Sequence, residues 1–107
     1  MKAALLVLLL MLAGCARAYR PSPAEDPHGE LARLQQRISA LRESLQLESA
    51  ADPDRCRKLG AVAVEICHCA DRICVLADDL AEEPAHAACV RAREDCRKAR
   101  SSADACK

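Results

Sequence analysis

The cysteines in the second half of the chain occur in mirror-image order, and this order strongly constrains the fold. Small residues recur there at alternating spacings of three and four, which places their side chains along one face of a helix. If the chain folds back between residues 77 and 85, the numbers of facing residues total 162 or 163 in every layer. The order therefore predicts two antiparallel helices in close contact. The two rows are Cys56, Gly60, Ala63, Cys67, Ala70, Cys74 and Ala77, and Ala85, Cys89, Ala92, Cys96, Ala99, Ala103 and Cys106.

The same register predicts how six of the cysteines pair. A disulfide needs Cα atoms roughly 4.4–6.8 Å apart, and one residue advances a helix by about 1.5 Å. Pairs that are out of register by several residues are therefore beyond reach of each other. The sequence predicts a hairpin with three disulfides, which are Cys74–Cys89, Cys67–Cys96 and Cys56–Cys106.

Composition agrees with a small, disulfide-rich, all-α domain. Eight cysteines among 107 residues indicate an oxidising compartment, where disulfides compensate for a small core. The only aromatic residue is Tyr19, and Thr and Asn are absent, which disfavours β-structure. Sixteen basic residues balance sixteen acidic ones, so the net charge does not indicate a nucleic-acid partner.

Hydrophobic periodicity predicts three helices, at about 30–49, 53–80 and 84–105. The first carries apolar residues at spacings of three and four, beginning at Leu31 and ending at Leu45. Asp52 and Pro53 are typical of a helix start, as is Pro84 for the third helix. A turn is expected at residues 81–84.

The second predicted helix has an apolar flank beside its row of small residues. This flank, which includes Leu59, Ile66 and Ile73, stands in register with the apolar residues of the first helix read in the opposite direction. An apolar flank of this width is rarely left exposed on a soluble monomer. We therefore expect an antiparallel three-helix bundle. The alternative is that the first helix self-associates as a coiled coil.

The N-terminal residues have the organisation of a signal peptide. Lys2 precedes an apolar stretch of about ten residues, which is too short to span a bilayer, since that needs roughly 20. The stretch ends in Leu12-Ala13-Gly14-Cys15, which resembles the lipobox of bacterial lipoproteins. The resemblance implies that residues 1–14 are removed, that Cys15 is acylated and, because Ala16 follows it, that the protein reaches the outer membrane. The alternative is ordinary secretion, since residues 16–18 form an A-x-A cleavage site.

The remaining predicted segments are a lipidated N-terminus with a disordered Pro-rich tether at residues 15–29 and the Cys-rich helical domain at residues 30–107. Three prolines and no apolar periodicity identify the tether. Residues 20–23 contain Pro-x-Pro, for which we favour a spacer over a recognition segment.

Cys69 is left over from the predicted pairing. It lies about 200° round the helix from Cys67 and cannot reach the third helix. Three roles stay open: a buried free thiol packed against the first helix, an intermolecular disulfide that links two copies, and a reactive or metal-binding thiol.

Neither metal binding nor catalysis is indicated by the sequence. Cys67, His68 and Cys69 are consecutive on a helix and point in three directions, and no C-x2-C spacing occurs. His28 and His86 are expected in the tether and near a turn. No nucleophile stands at a persuasive spacing from a base, so we predict no catalytic residue, no metal ligand and no cofactor.

Residues 54–106 resemble uncharacterised small Cys-rich helical-hairpin lipoproteins of Gram-negative bacteria. Their spacing is C-x10-C-x6-C-x14-C-x6-C-x9-C when Cys69 is skipped. The hairpin is also similar in principle to mitochondrial twin C-x9-C proteins, although only Cys96 and Cys106 have that spacing. The comparison with the twin C-x9-C proteins implies a topology and no function.

Two functional hypotheses follow from the sequence. The first is a non-enzymatic, lipid-anchored cell-envelope protein with a structural or interaction role, as a monomer or a Cys69-linked homodimer. It would face the periplasm or the cell surface, hold the membrane through its anchor and bind an envelope partner. The second is a periplasmic copper- or thiol-handling protein that uses reduced cysteines, because soft thiolates select Cu(I).

Overall fold

In a computed structural model that describes residues 26–47 and 51–106, three α-helices account for nearly all of these described residues. They are α1 (Pro27–Leu47), α2 (Arg55–Leu80) and α3 (Glu83–Ala105). No strand occurs in these two ranges. The prediction of an all-α chain with three helices is therefore confirmed. The predicted signal peptide, the predicted lipidation site Cys15 and the predicted tether up to residue 25 lie outside the described residues.

Helix α1 begins three residues earlier than the sequence analysis predicted. The backbone N–H of Glu30 donates to the carbonyl oxygen of Asp26 at 3.0 Å, and the N–H of His28 donates to Asp26 Oδ1 at 3.4 Å. Asp26 is therefore a helix cap, followed by Pro27 at the first helical position, where proline is well tolerated. Residues 27–29 belong to the helix and not to the predicted tether.

Helix α2 begins two residues later than predicted. The carbonyl oxygen of Asp52 accepts from the N–H of Arg55 at 3.1 Å, and Asp52 Oδ1 accepts from the N–H of Asp54 at 2.8 Å. These bonds close a turn ahead of the helix. The prediction that Asp52 caps the helix, with Pro53 at the first helical position, is therefore wrong: the N-cap is Asp54, and Asp52 and Pro53 begin the turn ahead of it.

The α2–α3 connection is tight and contains a non-glycine residue in the left-handed region. Ala81 has φ 52° and ψ 37°, and its N–H donates to the carbonyl oxygen of Ala77 at 2.9 Å. This is the bond that closes a helix in the αL motif, a position usually occupied by glycine. Pro84 lies in the first turn of α3, as predicted.

Helix α1 lies antiparallel on α2, and the interface between them holds much of the core. Ile66 and Ile73 of α2 are 0 % exposed, and Leu31 and Ile38 of α1 are buried in the same cluster. The predicted three-helix bundle is therefore confirmed. The apolar face of α1 packs on α2 within the same chain.

Two ion pairs fix the register of α1 on α2. Glu30 Oε1 accepts from Arg72 Nε at 2.7 Å, and Arg37 pairs with Glu65 two turns further along. The side chains of Arg72, Arg37 and Glu65 are about half exposed and that of Glu30 is 20 % exposed, so the pairs add little stability and mainly specify alignment.

The buried layer is apolar, and the outer surfaces are polar. No polar or charged residue is buried in the described part of the chain. None of its helices combines the length and the apolarity that crossing a membrane requires.

Gly60 is expected to be replaceable by alanine with a gain in stability. Gly60 belongs to the seam, the two facing rows of small residues for which the sequence predicts close contact between α2 and α3, but a Cβ at Gly60 would meet no heavy atom within 4 Å. Close approach is therefore not the reason for glycine here. Glycine inside a helix is less favourable than alanine by about 0.5–1 kcal/mol, so Gly60→Ala should raise the free energy of unfolding by that amount.

Urea denaturation with the disulfides intact measures this effect. The matched control is Ala63→Gly, one turn further along the same seam, where the alanine is buried and the change should destabilise. A loss of stability in Gly60→Ala would show that the seam is tighter at this level than the structure indicates.

Candidate functional site

The six seam cysteines form three disulfides between α2 and α3. Cα–Cα distances are 5.4 Å for Cys56–Cys106, 4.7 Å for Cys67–Cys96 and 4.7 Å for Cys74–Cys89. These are the three pairs that the mirror-image spacing predicts. Because helix period and rise fix which residues face each other, the register of one pair determines that of the others.

Exposure increases along the disulfide ladder, away from the α2–α3 turn. Cys74 and Cys89 are 6 % and 7 % exposed. Cys67 and Cys96 are half-buried, and Cys56 is exposed beside a half-buried Cys106. Reagents in solution therefore reach the disulfide at the open end of the hairpin most easily.

Cys69 is a free, buried thiol in the packed cluster that α1 and α2 share. It is 9 % exposed. Burial raises its pKa, the negative charge of Glu65 acts in the same direction, and Arg37 and Arg33 oppose them. A raised pKa keeps the thiol protonated, and a protonated thiol is a poor nucleophile and metal ligand. Among the three roles left open by the sequence, these observations favour the buried thiol.

The side chains of the consecutive residues Cys67, His68 and Cys69 lie on different sides of α2. Cys67 bonds to α3, Cys69 is buried in the core cluster shared with α1, and His68 is exposed. Across residues 26–47 and 51–106, no three His, Cys, Asp or Glu side chains are grouped so as to hold a metal ion.

His28 has a role that the sequence analysis missed. The sequence predicts that it lies in the tether, but it lies in the first turn of α1, where its Nε2 is 3.0 Å from Glu82 Oε2 in the α2–α3 turn. Its Nδ1 is 3.3 Å from Asp26 Oδ1. The contact ties the start of α1 to the closed end of the hairpin. The Asp26-Pro27 cap signal could have placed His28 on a helix, but not beside Glu82.

The pKa of His28 is expected to be raised, because hydrogen bonding to Glu82 and then to Asp26 favours the charged ring. A raised folded-state pKa means that this contact stabilises the fold fully below about pH 6.5. The contribution is lost as the pH rises through the higher folded-state value. Glu82→Gln should bring the pKa of His28 back toward 6.5, as read from the NMR titration of its ring protons.

Glu83→Gln is the matched control for this titration, since Glu83 has the same charge one residue away. A pKa of His28 that responds equally to both substitutions would contradict a specific contact with Glu82. A pKa that responds to neither would contradict any contact with this turn.

Arg55 is the second residue that the sequence analysis missed. It is the first residue of α2 and is half-buried, with Nη1 3.4 Å from Sγ of Cys106. Its Nε is buried and finds no acceptor among the described residues. A guanidinium thus lies against the outermost disulfide. No local sequence signal reveals this contact, because it depends on how the ends of α2 and α3 meet.

A shallow groove runs along the α2–α3 face beside the outer two disulfides. Its volume is about 970 Å³, and it is open to solvent. Its lining includes Cys56, Gly60, Val64, His68, Asp71 and Arg100. The groove borders the exposed disulfide and leaves room for an incoming molecule.

Neither a known protein family, nor a curated protein, nor a solved structure matches this chain. The resemblances to the lipobox and to small Cys-rich helical-hairpin lipoproteins therefore stay predictions. Function is accordingly argued from the arrangement of the residues.

Proposed function

We propose that this protein is a lipid-anchored protein of the bacterial cell envelope with a structural or protein-interaction role and no enzymatic activity. The observation that carries the proposal is the ladder of three disulfides between α2 and α3. Disulfides of this kind persist in oxidising compartments and are rare in the cytosol. They support a location outside the cytoplasm.

The anchor is argued from the N-terminal sequence. Leu12-Ala13-Gly14-Cys15 follows the apolar stretch in the order that lipoprotein processing uses. Acylation at Cys15 would supply more than one acyl chain, and two signals suffice for stable membrane attachment. We infer that the mature chain begins at Cys15 and is held at the outer membrane, facing the periplasm or the cell surface.

The spacing between anchor and bundle gives the interaction role a physical form. Residues 16–25 separate Cys15 from the cap of α1, and a fully extended segment of that length reaches about 35 Å. Helix α2 has 26 residues and is about 39 Å long. A stiff, disulfide-linked module of this size would bind an envelope partner close to the membrane. The length of residues 16–25 would set how far from the membrane that binding takes place.

Lipid attachment is tested first, because the location rests on it. Cys15→Ser should abolish labelling by a fatty acid and move the protein out of the membrane fraction. Cys69→Ser is the matched control, since it removes a free thiol from the helical domain and should leave labelling unchanged. Unaltered membrane fractionation of Cys15→Ser would favour the A-x-A secretion site instead.

The interaction role is tested with the acylated protein. Crosslinking in intact cells, followed by purification, should recover a reproducible envelope partner, and recovery should fall when the disulfides are removed. Turnover by the purified domain on any envelope substrate would overturn the non-enzymatic role.

The second candidate is a copper- or thiol-handling protein that works with several reduced cysteines. Cys69 is the free thiol in the described residues, and the six seam cysteines are oxidised. A thiol count on the denatured, unreduced mature protein should therefore find one thiol. Several thiols together with stoichiometric copper by elemental analysis would favour this candidate instead.

A further inference from the structure

We propose that Cys56–Cys106 is a thiol–disulfide exchange site, which a dithiol reductant opens before the other two disulfides. The proposal concerns the open end of the α2–α3 hairpin and does not depend on the lipid anchor. It assigns a chemical role to one of the three disulfides and leaves a structural role to the others.

Access is the first observation that distinguishes this disulfide. Exchange requires a thiolate to approach one sulfur directly, so a buried disulfide is protected. Cys56 is exposed and lines the open groove beside Gly60, whereas Cys74 and Cys89 are 6 % and 7 % exposed. The sulfur of Cys56 is therefore the point of attack.

The charge beside the leaving sulfur is the second observation. Arg55 Nη1 is 3.4 Å from Sγ of Cys106, and Arg55 Nε is buried without an acceptor among the described residues. A guanidinium in contact with a sulfur stabilises the thiolate that forms when the disulfide opens. A leaving thiolate that is stabilised in this way departs faster. We assign Cys106 as the leaving group and Arg55 as the residue that stabilises it.

The position of Cys56 favours the same reaction. It is the second residue of α2, where the positive end of the helix dipole lies. Thiolates are stabilised at helix N-termini, so the Cys56 thiolate released at the end of the reaction is stabilised as well. The carbonyl oxygen of Cys106, 2.8 Å from Cys56 Sγ, opposes this effect, so the positive charge that distinguishes this disulfide is that of Arg55 beside Cys106 Sγ.

The reaction balances with one dithiol as co-reactant. A thiolate of the dithiol attacks Cys56 Sγ, forming a mixed disulfide as the Cys56–Cys106 bond breaks and its electron pair goes to Cys106 Sγ. The second thiolate of the dithiol then attacks the dithiol's own sulfur in the mixed disulfide, which releases Cys56 as a thiolate. The protein disulfide is reduced and the dithiol is oxidised to a disulfide.

The consequence for the fold is local. Cys67–Cys96 and Cys74–Cys89 still join the helices after exchange, and the core around Ile66 and Ile73 is untouched. Opening removes the covalent link between the first turn of α2 and the end of α3, next to Arg55. A reversible change at one end of the hairpin is therefore possible without unfolding it.

The order of opening is measured on the purified full chain with limiting dithiothreitol. Samples are acid-quenched and alkylated, and each disulfide is followed by peptide mass mapping. We expect Cys56–Cys106 to be reduced first, while helical circular dichroism stays nearly unchanged. If another disulfide opens first, or if all three open together, the proposal is wrong.

The role of Arg55 is tested by charge. Arg55→Gln should slow the opening of Cys56–Cys106 about threefold to tenfold, and Arg55→Lys should restore much of the rate. Arg57→Gln is the matched control, because it removes the same charge two residues from Arg55. The side chain of Arg57 is exposed and pairs with Asp54. Equal rates for Arg55→Gln and Arg57→Gln would overturn the assignment of Arg55.

The point of attack is tested with a monothiol. Brief exposure to reduced glutathione, followed by acid quenching, should leave the mixed disulfide on Cys56. An adduct found mainly on Cys106 would reverse the roles of the two sulfurs and overturn the mechanism. This readout does not require the variants to fold, so it keeps the proposal testable if Arg55 substitutions destabilise the chain.

Discussion

Complete reduction of the three disulfides is expected to unfold the α2–α3 hairpin. The facing rows of the two helices consist of glycine, alanine and cysteine, which bury little apolar area. In the chain-entropy model, the disulfide with a sequence separation of 15 alone contributes about 3 kcal/mol. The three together contribute roughly 5–8 kcal/mol, because each added crosslink closes a shorter effective loop. This matches the entire stability of many small domains.

Circular dichroism at 222 nm before and after reduction and alkylation measures this prediction. Helical signal and cooperative melting should both be lost when all three disulfides are open. A matched experiment removes one disulfide at a time. The double variant that carries both Cys67→Ala and Cys96→Ala should lose about 2–4 kcal/mol of unfolding free energy. The single variant Cys69→Ala, which removes no disulfide, is its control. A reduced chain that keeps a cooperative thermal transition would show that packing alone holds the hairpin.

Ile73→Ala is the substitution for which we expect the largest loss of stability from packing. Ile73 is 0 % exposed, and with Ile38 of α1 and Ala88 of α3 it lines a crevice where the three helices meet. Truncating a fully buried isoleucine removes its transfer free energy and leaves a cavity, at a cost of about 2–5 kcal/mol. The disulfides cannot compensate for this loss, since they join α2 and α3 along a different face.

Val75→Ala is the control for Ile73→Ala, because Val75 lies two residues further along α2 and is 48 % exposed. It should change the free energy of unfolding by no more than about 0.5 kcal/mol. Urea denaturation with intact disulfides gives both values. Similar losses for the two variants would contradict the position of α1 over Ile73.

Some of the site follows from the sequence, but its reactive part does not. The spacing of cysteines identifies the three facing pairs, and the offset of Cys69 from Cys67 identifies the unpaired thiol. Neither observation indicates which disulfide is accessible to solvent or which one lies beside a charged side chain. That depends on Arg55, whose contact with Cys106 joins residues 51 positions apart in the chain.

The sequence by itself determined the helices, their pairing and the disulfide register. The physical reason is that the α-helix has a fixed period and rise, so spacings of three and four translate directly into facing side chains. Only the tertiary structure decided the contact of His28 with Glu82, the empty space at Gly60 and the increasing exposure from Cys74 to Cys56. These depend on how helix ends meet and how closely helices approach at each level, and such distances are not encoded in the periodicity of any one helix.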